Sequence, residues 1–176
     1  MRSNTSYMLR HKNPHILSLL LLMLSLTVIA QDQDRPFAFP EGVPSKLQFG
    51  MSSLDFKKVV DMRAMKVDDT RSWRRVYFQP SDEPQIKTLL YYIAKDVENQ
   101  PLYEVIVQYD SRALASKKAV SYFGEPNYVG EDSETPNEWR FKAAAGELAK
   151  WVWVYKNQIV MVARVPGCEW DEDWDQ

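Results

Sequence analysis

Beyond His15 the chain contains no histidine, and its one cysteine is Cys168. These two scarcities exclude most familiar side-chain chemistry from residues 31–176. A serine–histidine–acid triad and a cysteine–histidine pair both need an imidazole to take the nucleophile's proton. Zinc sites of the usual kinds need several histidines or cysteines. A lone cysteine cannot staple the fold within one chain, so the domain must be held by its own core. Glycine is also sparse: those after the leader, at 42, 50, 124, 130, 146 and 167, are all isolated. No glycine-rich loop exists to cradle a phosphate, and no cofactor motif is present.

What is present begins with a leader. Arg2, Arg10 and Lys12 make a basic start, and a leucine-dominated apolar run extends from Ile16 to Ala30. Val28-Ile29-Ala30 supplies the small or short-branched residues of a cleavage site, so residues 1–30 read as a secretory signal peptide. The run falls short of the roughly 20 residues a membrane-spanning helix needs. Cleavage after Ala30 is expected, with a periplasmic or secreted destination and no stable membrane span. The leader holds three of the 22 basic residues and none of the 24 acidic ones, which leaves 19 against 24 and a formal charge of −5. Glu169, Asp171, Glu172, Asp173 and Asp175 crowd into an acidic tail over 168–176, so the body itself is neutral. A neutral body with a negative tail argues against nucleic acid, whose binding is driven by phosphate neutralisation.

Residues 31–46, with Pro36, Pro40, Pro44 and Gly42, read as an extended linker that Phe37 and Phe39 could dock. Residues 47–167 read as an α+β domain. The first helix is expected over 52–65, capped by Ser52 or Ser53, with Leu54, Val59, Val60 and Met62 on its apolar side. Strands follow at 73–78, 86–95 and 102–109, the last with clean alternation. A second helix runs from Asp110 or Ser111 to Phe123, with Leu114, Val120 and Phe123 as its buried side, and Gly124 and Pro126 end it. An acidic loop at 131–136 leads to strands at 138–142, 150–155 and 159–165. The last two join across Lys156-Asn157, where asparagine tolerates a left-handed turn. The expected fold is an antiparallel sheet of about six strands with two helices on one face.

The halves 47–110 and 111–167 read as a tandem repeat of one helix and three strands. Lys57-Lys58-Val59-Val60 recurs as Lys117-Lys118-Ala119-Val120, Trp73-Arg74 as Trp139-Arg140, and Tyr92-Ile93-Ala94-Lys95 as Trp153-Val154-Tyr155-Lys156. Phe49-Gly50-Met51-Ser52 opening a helix, Phe123-Gly124-Glu125-Pro126 closing the next, and tryptophan-led strands together resemble the beta-lactamase-inhibitor-protein-like class of exported modules. Small envelope-assembly lipoproteins share a similar short α+β unit. The similarity spans about Leu47 to Val165. The chain departs from both patterns, with one cysteine where the inhibitors pair theirs and none positioned to carry a lipid. The resemblance implies protein binding through the open sheet face, in the cell envelope or outside.

The candidate binding residues are Trp73, Arg75 and Tyr77 on one strand, Trp139 on another, and Trp151, Trp153 and Tyr155 on a third. Tryptophan, tyrosine and arginine dominate binding hot spots. The plainer alternative is that either row packs under the helices as core. Both faces of 150–155 are apolar and the helices can cover only one, so Trp153 is expected to be at least partly exposed. The tail reads as a solvated charge run, with an acidic–aromatic docking peptide as its alternative. Scattered acids leave a carboxylate pair for hydrolysis open. Arg71-Ser72-Trp73-Arg74-Arg75 reads as an outward strand edge. Cys168, with acids nearby and no histidine, is not expected to be catalytic, while a disulfide to a partner stays open. The expectation is a non-enzymatic exported module that binds an envelope or extracellular protein. A carboxylate-dependent glycan hydrolase and a structural envelope component that oligomerises through the same face are the alternatives.

Overall fold

The structure, a computed structural model, describes residues 36–129, 137–143 and 145–172. The leader expected over 1–30, the loop expected over 131–136 and the last four residues of the tail lie outside them. The elements all fall in one unit, Arg35–Gln176. In chain order they are helix α1 (Ser53–Val59), strands β1 (Lys66–Asp68), β2 (Arg74–Pro80), β3 (Ile86–Ala94) and β4 (Leu102–Tyr109), helix α2 (Arg112–Phe123), then β5 (Tyr128–Val129), β6 (Asn137–Phe141), β7 (Lys150–Tyr155) and β8 (Gln158–Ala163). The strands form one antiparallel sheet in the order β1-β2-β3-β4-β8-β7-β6-β5.

The architecture is α+β, with eight strands where about six are expected. The two additional strands, β1 and β5, have three and two residues and lie at the sheet's edges, too short to leave an alternating pattern. Each helix is followed by a four-strand meander, and the last strands of the two meanders, β4 and β8, pair at the centre.

Helix α1 is shorter than the expected span of 52–65. Ser52 caps it, its Oγ accepting from the Asp55 N–H at 3.1 Å. It ends at Val59, and Val60 is extended. The adjacent β-branched valines favour that exit, and the Asp61 side chain then accepts from the Arg63 N–H at 3.0 Å to start a separate 3-10 turn over Met62–Ala64. Phe56 is the fully buried residue of α1, against Tyr77 and Tyr91, while Leu54, expected inward, is exposed.

Helix α2 begins at the Ser111 cap and closes on Gly124, whose φ of 81° suits a residue without a Cβ. Its buried stripe is Ala115, Ala119 and Phe123, not Leu114, Val120 and Phe123: Leu114 is half-buried and Val120 exposed. The spacing of four along this stripe puts two methyl groups against the sheet. The helix can thus lie close over β4, β8 and β7.

The core between helices and sheet takes Tyr77, Leu89, Tyr91, Ile93, Val105, Val107, Tyr109, Val152, Val154, Ile159 and Met161 from the strands. The described part of the linker joins it. Phe37 stacks on Phe123 with ring centroids 5.9 Å apart and also meets Phe49 and Phe141. In the β7–β8 turn the left-handed residue is Lys156, at φ 51°, and not Asn157. Asn157 instead ties the turn to the end of β4, its Nδ2 donating to the Tyr109 carbonyl at 2.6 Å.

Candidate functional site: the open face of the sheet

Strand alternation sends every second side chain to the face the helices leave bare. On β7, Val152 and Val154 enter the helix-side core, so Trp151, Trp153 and Tyr155 point the other way. The pairing register aligns two rows on that face. One runs Val76, Tyr92, Glu104, Val162, Trp151, Arg140, and the other Phe78, Leu90, Ile106, Val160, Trp153, Glu138, Tyr128. Val76, Leu90, Ile106, Val160 and Val162 are a buried apolar floor, and Phe78, Tyr92, Trp151, Trp153 and Tyr155 are half-buried around it.

The start of the tail returns over this face. Gly167, at φ 78°, turns the chain after β8, and Trp170 packs against Trp153 with centroids 5.5 Å apart and against Trp151 at 6.4 Å. The Trp170 indole Nε1 donates to Glu104 at 3.2 Å. Glu169 accepts from the Tyr103 hydroxyl at 3.0 Å and from Arg74 at 3.5 Å. Asp171 accepts from the Gly167 N–H at 2.9 Å and from Arg164 at 3.4 Å. Through Asp171 the tail is therefore packed structure and not the solvated charge run expected.

Two buried carboxylates sit in the floor. Burial pushes Glu104 up to about 7; the Glu169 charge adds to this, while the Trp170 hydrogen bond and Arg74 oppose it. Glu138 is also buried and accepts from the Trp151 indole at 3.0 Å and from Arg140 at 3.4 Å. Two arginines lie on aromatic faces. The Arg74 guanidinium is 4.4 Å from the Trp73 ring and 5.2 Å from that of Tyr92, and Arg140 is 3.4 Å from Tyr128 and 4.8 Å from Trp151. Such stacking holds a cation on an apolar surface with less hydration lost than a lone ammonium would suffer.

The seven candidate residues divide between the faces. Trp151, Trp153 and Tyr155 lie on the open face, while Trp73, just before β2, sits under the Arg74 guanidinium and lines a small hollow with Tyr103, Cys168 and Glu169. Tyr77 and Trp139 are instead in the helix-side core, each 2 % exposed, because their strand positions alternate toward α1 and α2. Trp139 Nε1 donates there to the Gly124 carbonyl at 2.9 Å. Arg75 shares the parity of Tyr77 and pairs with Asp69 at 3.0 Å. Sequence reasoning did not single out Tyr92, Glu104, Glu138 or Arg140 as site residues, nor the docking of Trp170. Their one local signal is polar residues at alternate positions of apolar strands.

Away from this face, a cleft of about 740 Å³ opens between Phe37–Pro40 and the Gly146–Lys150 turn. Its charged groups are tied to neighbours: Glu41 to Tyr122 and Lys118, and Glu147 to Lys150. Among the described residues, no three of histidine, cysteine, aspartate and glutamate converge as a metal ion would require. No helix among them is long and apolar enough to cross a membrane. Comparison of the chain with family models, curated proteins and solved structures finds no match.

Proposed function

We propose that this protein is an exported, non-enzymatic module that binds another protein, in the periplasm or outside the cell, through the open face of its sheet. One observation carries the reading: helices close one side of the sheet, and the other presents half-buried tryptophan, tyrosine and arginine over an apolar floor. Those residue types supply large, stiff contact area with polar edges, as binding hot spots require. The resemblance to beta-lactamase-inhibitor-like modules points the same way.

The hydrolase reading fits the carboxylates less well. Glu104 on β4 and Glu138 on β6 are three strand spacings apart, about 14 Å between backbones, whereas paired glycosidase carboxyls lie about 5–10 Å apart. Both are buried, and an indole N–H occupies each. The two halves read as a repeat, since the three recurring segments fall on equivalent elements: the helices, the second strands and the third strands. Arg74 and Arg140 are each stacked on aromatic rings but sit at different register positions, Arg74 opposite Ala94 and Arg140 opposite Trp151.

The test is capture of partners from envelope extract by the chain and by a Trp153→Ala variant. A binding role predicts a protein retained by the wild type and lost with the variant, while the variant remains folded at the temperature of the assay. Recovery of nothing above background across several salt concentrations would refute it.

A further inference from the structure

The seat of Trp170 is built for more than an apolar plug. The indole packs edge-on over the contacting pair Trp151 and Trp153 with its N–H on Glu104, and the flanking acids reach Tyr103, Arg74 and Arg164. An aromatic ligand without carboxylates would not replace the Glu169 carboxylate that accepts from the buried Tyr103 hydroxyl and faces Arg74, and a buried hydroxyl that loses its acceptor is costly. The seat therefore selects an aromatic side chain flanked by acids.

The segment that fills it is weakly tethered. Among the described residues, its backbone hydrogen bonds are turn bonds only, from the Cys168 N–H to the Val165 carbonyl and from the Asp171 N–H to the Cys168 carbonyl. None joins it to a strand. It leaves the sheet at Pro166-Gly167, both exposed, and Glu169 is itself exposed. A segment held by side chains and turn bonds, with no strand pairing, can open locally while the sheet stays intact. Its release would also return water to Glu104, whose burial works against the docked state.

We infer that residues 169–172, beyond the core-buried Cys168, form a displaceable strap, holding on the tryptophan face the place of a segment of another protein with the same chemistry, an aromatic residue flanked by carboxylates. This rests on the protein-binding reading above and adds the partner's chemistry and the device that regulates access. A tethered strap competes at high effective concentration, so loosening it strengthens binding of the incoming segment.

The probe is a fluorescently labelled synthetic peptide of residues 166–172 carrying Cys168→Ser, titrated into the full chain. Trp170→Ala, and separately Glu169→Ala with Asp171→Ala, should each bind it at least about tenfold more tightly than the wild type. A peptide with alanine in place of its tryptophan should not bind. If Trp170→Ala fails to fold, the Glu169→Ala/Asp171→Ala chain decides. The inference is overturned if folded strap variants bind no more tightly than the wild type, or if the tryptophan-less peptide binds equally. A dimer of the intact chain that the peptide dissociates would assign the seat to a second copy and overturn it too. Partner capture that needs Trp153 but ignores the strap variants would sink the strap and leave the binding reading standing. Tight peptide binding by the strap variants, with no envelope partner captured, would do the reverse.

Discussion

Replacing Glu104 with glutamine tests how the buried floor of the open face is charged. Arg74, Glu169, Tyr92, Tyr103 and the Trp170 indole surround the group, and burial outweighs the favourable contacts, so the folded protein holds the proton up to about 7. The unfolded chain releases it near the ordinary value of 4.5. Between these pH values the native state binds more protons than the unfolded state. Stability is therefore fully present below about 4.5, falls as pH rises to about 7, and is flat above. At about 1.4 kcal/mol per pH unit, that span is worth about 3 kcal/mol. This is a large part of the roughly 5–15 kcal/mol that holds a domain together, and corresponds to roughly 10 °C in melting temperature. Asp69 is held near 2 by Arg75 and Lys95, the Cys168 thiol is pushed by burial to about 11, and no histidine follows His15, so none of these contributes to the slope. Urea denaturation at pH 5, 6, 7 and 8 should show the decline in the wild type and a nearly level profile in Glu104→Gln, with the variant the more stable at pH 8. A wild-type profile that is flat across this range, or a variant that keeps the slope, would refute the reasoning.

Other expectations follow from burial and packing. Trp139→Ala removes a core indole and its bond to Gly124, and should cost about 3–5 kcal/mol in chemical denaturation, against less than about 2 for the half-buried Trp153→Ala. Ala119→Leu forces a larger side chain between α2 and the sheet and should cost about 1–3 kcal/mol or more, read as a lowered midpoint. Cys168 is buried and its thiol raised by burial and by Asp96 and Asp171, so it should react with a disulfide reagent orders of magnitude faster in denaturant than in the folded protein. Rapid modification of the native thiol would contradict that placement.

Elements whose signals lie within a few residues were legible in the chain itself. The β-branched and aromatic runs over Leu102–Tyr109 and Lys150–Tyr155 deliver β4 and β7 with the expected bounds, because strand-favouring composition needs no distant partner to be read. Ser111 and Gly124 bound α2 for the same reason, satisfying backbone groups locally. The absence of histidine after His15, and with it of imidazole chemistry, needs no structure at all. Side-chain facing was different. Both faces of β7 are apolar, so periodicity alone cannot say which one turns to the helices. The alanine stripe of α2 decides it, since methyl groups at 115 and 119 leave room for Val152 and Val154 and not for two indoles. That choice sends Trp151 and Trp153 outward while strand parity sends Tyr77 and Trp139 inward. The return of Trp170 over Glu104 joins residues 66 positions apart. It depends on apolar surface and a buried carboxylate that exist only once β4, β8 and β7 have paired, so no local pattern in the chain could announce it.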